Sequence, residues 1–100
     1  MDSTVRYELL GTVFEWDAAK AASNALKHGI SFESACEVFI DPFLRIINDD
    51  ISDELRYAAI GYSKALQLLY VVHLERHDEI TRIISARKAT TAERRIYDDC

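Results

Sequence analysis

Apolar positions along this chain change their spacing twice. Val13-Phe14-Glu15-Trp16 alternates, as a short strand does. Asp17 follows where a helix N-cap belongs, and Ala18 to His28 is rich in Ala and Lys, which favours helix. Ala18, Ala22, Ala25 and Leu26 make its apolar stripe, and Gly29 stands where a left-handed C-cap is needed. Ser31 is the next N-cap. Phe32, Ala35, Cys36 and Phe39 then recur at helical spacing until Asp41-Pro42 ends the run.

After Pro42 the pattern turns extended. Leu44–Ile47, Arg56–Gly61, Leu66–Glu75 and Glu79–Arg87 read as strands. Asn48-Asp49-Asp50 and Arg76-His77-Asp78 read as the turns between them. Thr90-Thr91-Ala92-Glu93 matches a capping box and opens a short last helix. VRYELL, within residues 1–12, fits either an extra strand or a loosely held terminus. The order of elements predicts an α+β domain with two N-terminal helices and a short C-terminal helix on a twisted antiparallel sheet. Residues 1–12 are set apart as an N-terminal extension and 13–100 as the single domain.

Composition narrows the function classes. At 100 residues there is room for one domain. Two cysteines without a CxxC spacing form neither a disulfide framework nor a four-thiolate zinc site. No apolar run approaches the roughly 20 residues of a membrane helix, and no secretory signal opens the chain. A reduced, soluble, cytoplasmic protein is expected. The net charge of −5 argues mildly against nucleic-acid binding. Its distribution softens that: residues 82–100 carry +2 and residues 1–81 carry −7. Phosphate responds to the local potential, so a basic end on an acidic body still counts.

Candidate chemistry is sparse. Three isolated glycines exclude a phosphate-binding loop, and His28, His73 and His77 lack metal-ligand spacing, so no metal or cofactor is expected. His73 reads as a packed strand residue, His77 as an exposed turn residue and Cys36 as core; nothing marks Cys100 as a nucleophile. The basic end remains. On a regular strand Arg82 and Arg87, five apart, point to opposite faces, Ser85 and Arg87 sharing one with Ile83. Lys88 follows, and Arg94 lies on the last helix with Tyr97 three residues on. Such arginines could hold a phosphate bidentately, as RNA cleavage without a metal requires. The plainer reading is surface ion pairs with Glu93.

Two stretches then resemble a known family. Phe14-Glu15-Trp16-Asp17, Lys20, Asn24 and Lys27-His28-Gly29-Ile30-Ser31-Phe32-Glu33 with Ala35 are similar to the opening FEWDxxKAxxNxxKHGVSFEEA of BrnT toxins. Arg82-Ile83-Ile84-Ser85-Ala86-Arg87-Lys88-Ala89-Thr90, with Glu93-Arg94 and Tyr97, resembles their RIISARxATxxERxxY. The resemblance covers roughly residues 13–98. It implies a RelE-like fold and an RNA-cleaving toxin that stops translation. It also implies a BrnA-like ribbon-helix-helix antitoxin, through which alone operator DNA is bound. Carried over by position, His28, Arg56, Arg82 and Arg87 are the catalytic candidates. Lys27, Lys88, Arg94 and Tyr97 are the RNA- or phosphate-binding ones. Glu93 is read as the helix cap. Two departures stand out: Leu55 where relatives commonly carry Glu, with Glu54 beside it, and Tyr62 where a basic residue is frequent.

Three readings follow. One is a metal-independent ribonuclease toxin. Another is a catalytically weak subunit that binds its antitoxin and co-represses the operon. The last is an α+β domain with an unrelated partner. Under the first, replacing Arg82 or Arg87 should reduce toxicity and leave the fold intact.

Overall fold

The computed structural model describes residues 3–49, 56–76 and 78–99. Asp50, Glu54, Leu55, His77 and Cys100, singled out above, lie outside the described residues. Leu10 and Gly11 both hold positive φ, 49° and 85°, the backbone a two-residue hairpin loop favours. They join β1 (Thr4–Leu9) to β2 (Thr12–Asp17), paired antiparallel along their whole length. The segment read as either strand or loose terminus is therefore a sheet strand.

Phe14 and Trp16 alternate with Glu15 on β2, so the two aromatics enter the core and the carboxylate points to the opposite face. Asp17 accepts a hydrogen bond from Lys20 N–H at 3.0 Å and caps α1 (Ala18–His28). Gly29, at φ 71°, closes that helix by donating to the Ala25 carbonyl. α2 (Phe32–Glu37) starts at the Ser31 cap and tightens into a 3₁₀ turn at Val38–Ile40, which ends at an extended Asp41 just before Pro42, as expected. Phe32 is fully buried with its ring edge-on to Trp16 at 5.8 Å. Burial of a side chain this size contributes about 1.5–3 kcal/mol.

The remaining elements are β3 (Arg45–Asn48), β4 (Tyr57–Tyr62), β5 (Leu68–Glu75), β6 (Thr81–Lys88) and α3 (Thr91–Asp98). The strands form one sheet in the order β1-β2-β6-β5-β4-β3. Here the all-antiparallel expectation is corrected: β2 and β6 pair parallel, through Phe14↔Thr81 and Glu15↔Arg82. The helices and the meander supply the long crossover that parallel pairing needs. The fold is a mixed α+β arrangement of three α-helices and a six-stranded sheet among the described residues.

α1 also corrects its expected stripe. Leu26 is 91% exposed and Ala22 and Ala25 are exposed, while Asn24 is the buried residue of the helix. β2 ends where α1 begins, so the outer edge of β6 beyond Arg82 needs another partner. Asn24 provides it. Its Nδ2 donates to the Ala86 carbonyl at 2.9 Å and its Oδ1 accepts from the Ala86 N–H at 3.1 Å. Nδ2 also donates to the Ile30 carbonyl at 3.0 Å. One side-chain amide thus stands in for a strand residue and fixes α1 against the sheet.

Candidate functional site

β6 is irregular at one point. Val72 pairs with Ser85 and His73 with Ile83, so Ile84 is an extra residue, a β-bulge. The bulge shifts the alternation. Ile83 and Ala86 enter the core, while Arg82, Ser85 and Arg87 stand opposite Leu74, Val72 and Tyr70 on the other face. The regular-strand expectation that Arg82 and Arg87 point to opposite faces, with Ser85 beside Ile83, is therefore corrected.

Arg87 is held from two sides. Its guanidinium carbon lies 4.4 Å from the centroid of the Tyr70 ring, within cation–π range. Nη1 and Nη2 each donate to Glu93 at 2.8 Å, a bidentate pair. That bond raises the Arg87 pKa further. Burial alone would raise the Glu93 carboxyl, but hydrogen bonds from Arg87 and the Thr90 N–H outweigh it and hold it below the usual range. Tyr70 is raised by burial and by the nearby Asp49 and Glu93 charges, and it hydrogen-bonds Asp49. Lys88 follows Arg87 and is exposed.

Beside this row, α1 meets β6 in a cleft of about 220 Å³ lined by Lys20, Ser23, Asn24, Lys27, His28, Ile84 and Ser85. Lys27 and His28 occupy the last turn of α1, where the helix dipole favours positive charge. The cleft joins the two motif-bearing ends of the chain. Ser85 lines it, and Arg87 is two residues further on the same face, about 7 Å along the strand.

Arg82 sits at the other end of this face. Nη1 donates to Oε2 of Glu15 at 2.7 Å, and Glu15 is only 5% exposed. Removing Arg82 takes the closest cation from a buried carboxylate, which is costly. Replacing Arg82 is therefore expected to lower stability as well as toxicity.

Arg94 and Tyr97 form a third group. Arg94 Nη1 donates to the Tyr62 hydroxyl at 2.9 Å, and the Tyr62 and Tyr97 rings meet edge to face at 5.4 Å. The Tyr97 hydroxyl donates to Asp41 Oδ2 at 2.7 Å, and burial together with this bond pushes its pKa up to about 12. Asp41 also accepts from the N–H groups of Tyr62 and Phe43, each at 2.9 Å. Tyr97 therefore ties α3 to the chain after α2. Arg56 stands just before β4, its carbonyl accepting from Asp49 N–H at 2.9 Å, with β5 between β4 and β6.

His73 is fully buried, edge-on to Phe39 at 5.0 Å, and burial lowers its pKa. Cys36 is buried with its pKa raised to about 12 by burial and by Glu33 and Glu37. Both match their core assignment. Among the described residues no group of three or more His, Cys, Asp or Glu is placed to hold a metal. None of their helices is long and apolar enough to cross a membrane. Sequence reasoning missed Tyr70, Asp49 and Glu15 as partners of the arginines. Only the position of Tyr70 in a strand next to the basic one could have hinted at it.

A family model described as the ribonuclease toxin BrnT of type II toxin–antitoxin systems matches residues 16–93. Among solved structures, the ribonuclease toxin BrnT of Brucella abortus is similar, at 27% sequence identity and a TM-score of 0.59. The match covers 76% of this chain and 94% of that one. No curated protein matches.

Proposed function

Because this chain belongs to the BrnT family of ribonuclease toxins of type II toxin–antitoxin systems, we propose that it cleaves RNA without a metal ion at the face where α1 meets β6. The observation that carries this reading is the bulge at Ile84. It sets Ser85 and Arg87 on one face beside the basic end of α1, where Lys27 and His28 line the same cleft as Ser85. The RelE-like kinship implied by the motifs fits the same reaction.

In this reading a 2′-hydroxyl attacks the adjacent phosphorus and the bond to the 5′-oxygen breaks, leaving a cyclic phosphate and a 5′-hydroxyl. His28 is the proton-transfer group in reach of the cleft. Arg87, held over Tyr70, stabilises charge on the phosphoryl oxygens. Lys27 and Lys88 attract the backbone, and Arg56 and Arg94 widen the positive field around it. Tyr97 supports the fold at Asp41, and Arg82 compensates Glu15. Cleavage in the cytoplasm would arrest translation. A BrnA-like ribbon-helix-helix antitoxin would neutralise the toxin and carry the pair to operator DNA.

A second reading is favoured by one observation: both strand arginines are already paired, Arg87 with Glu93 and Arg82 with Glu15. A catalytically weak subunit that mainly holds its antitoxin and co-represses the operon would look the same. Growth after induction alone, and beside its neighbouring small open reading frame, separates the two. Arrest alone with rescue together, and RNA cleavage that survives EDTA and is lost in Arg87→Ala, is the expected result. Folded protein that binds the antitoxin, allows growth and leaves RNA intact establishes the second reading.

A further inference from the structure

Glu15 collects three arginines. It pairs across β1 with Arg6 and across β6 with Arg82, so Arg6, Glu15 and Arg82 form a row over three adjacent strands. Arg76, from the turn between β5 and β6, joins them. Arg82 approaches Glu15 to 2.7 Å, Arg76 to 3.4 Å and Arg6 to 3.8 Å. The carboxylate side chain is 6% exposed, whereas those of Arg76 and Arg6 are 43% and 65% exposed. Only the Arg82 contact is a short charge-assisted hydrogen bond. The other two are ion pairs longer than a good hydrogen bond, made by side chains that stay largely exposed.

We propose that Arg6, Arg76 and Arg82, organised by Glu15, form a second phosphate-binding subsite for the RNA strand, away from the point of cleavage. This rests on the RNA-cleaving reading given above. The buried carboxylate holds the cluster in place and cancels one of its three charges. Guanidinium groups match phosphate oxygens in pairs, which makes arginine suited to this role. Arg82 and Arg87 stand opposite Leu74 and Tyr70 on one face, about 13 Å apart at strand spacing. A strand seated at Arg87 and running along β6 therefore reaches the cluster. Glu8 and Asp17 flank it on the same face, so the attraction is moderate and salt reads it. Arg6 lies outside residues 16–93, the segment the family model matches, so the subsite includes a feature of this chain's own N-terminal strand.

The test uses the whole chain and a mixed-sequence 2′-O-methyl RNA of about twelve nucleotides, which binds but lacks the attacking hydroxyl. Arg6→Ala/Arg76→Ala is expected to weaken binding several-fold at low salt and to reduce the slope of log K against log salt by about 1. With cleavable RNA, the loss in kcat/KM should be larger on the twelve-mer than on a trinucleotide. Arg6→Lys/Arg76→Lys keeps the charge and should keep the melting temperature and part of the affinity. It also reports on the site if the alanine pair fails to fold. Unchanged affinity and salt slope in folded variants overturn the subsite while cleavage by the wild type leaves the proposed function standing. A loss confined to antitoxin binding also overturns it, because the cluster then serves a protein partner. Wild-type protein that neither binds nor cleaves RNA removes the proposed function and the subsite together.

Discussion

Glu93 caps α3 and holds Arg87 with the same carboxylate. Its Oε1 accepts from the Thr90 N–H and from Arg87 Nη1, both at 2.8 Å, and its Oε2 accepts from Arg87 Nη2 at 2.8 Å. The cap and the proposed phosphate ligand are thus one unit. Glu93→Ala is expected to cost about 1–2 kcal/mol, the loss of a cap plus a charge-assisted pair that is part exposed. Chemical denaturation measures it. A Glu93→Ala variant as stable as the wild type would show that α3 stands without this contact.

The same carboxylate gives a pH signature. Its pKa is lowered in the fold, against the effect of burial, by Arg87 and by the Thr90 N–H. Asp41 is likewise lowered, again against burial, by the Tyr62 and Phe43 N–H groups and the Tyr97 hydroxyl. A lowered folded-state value stabilises the protein above the unfolded value, near 4 for carboxylates. That stability is lost as pH falls through the folded value. Denaturation midpoints should therefore begin to fall just below neutral pH, as the unfolded chain takes up the proton that buried His73 resists, and fall further from about pH 5 downward as these carboxylates protonate. Glu93→Gln and Asp41→Asn should each flatten that acid limb. An acid limb identical in both variants and the wild type would show that neither carboxylate sets it.

Asn24 is the polar residue on which α1 depends. Replacing it with Ala strands the Ala86 N–H and two carbonyls, those of Ala86 and Ile30, in a buried place. Asn24→Asp is worse, because a carboxylate there faces two carbonyl oxygens. Losses of about 2–4 kcal/mol for Ala and more for Asp are expected from unmet buried groups. Hydrogen exchange at Ala86 should quicken in both. Slow exchange there in Asn24→Ala would mean another group has taken over the edge of β6.

What the sequence made legible was local. The capping box at Thr90 and Glu93, the Gly29 stop and the Asp17 and Ser31 caps each involve residues a few positions apart, and each forms as read. What stayed hidden depends on partners far along the chain. Leu26 looked like a core residue of α1, yet its exposure follows from Asn24 meeting Ala86 across the fold. The shared face of Arg82 and Arg87 depends on a bulge visible only in the pairing with β5. Glu15 and Arg82 are likewise joined only by the parallel pairing of β2 with β6, which antiparallel reasoning does not anticipate. The basic candidates of the sequence fall into separate groups for this reason: Lys27 and His28 share a cleft with Ser85, while Arg87 lies on Tyr70 and Glu93.

Gly61 tests how tightly the sheet is packed against the turn after α2. A Cβ there would lie 3.0 Å from the Val38 carbonyl oxygen, 3.2 Å from the Val38 Cβ and 3.4 Å from Asp41 Oδ2. Two of these belong to a buried residue of the 3₁₀ turn, and the carbonyl is backbone, so neither yields as a flexible side chain would. Its φ is not in the positive range, so the effect is one of space rather than of backbone strain. Gly61→Ala should therefore push the Val38–Ile40 turn away from β4 and loosen the Asp41 bonds to Tyr62 and Tyr97. A cost of about 1–3 kcal/mol is expected from overpacking. Gly61→Ala/Tyr97→Phe separates the two effects. If the turn moves and takes Asp41 with it, removing the Tyr97 hydroxyl costs less in the alanine background than in the wild type. Equal costs in the two backgrounds would place the strain at Val38 alone and leave the α3 tie undisturbed.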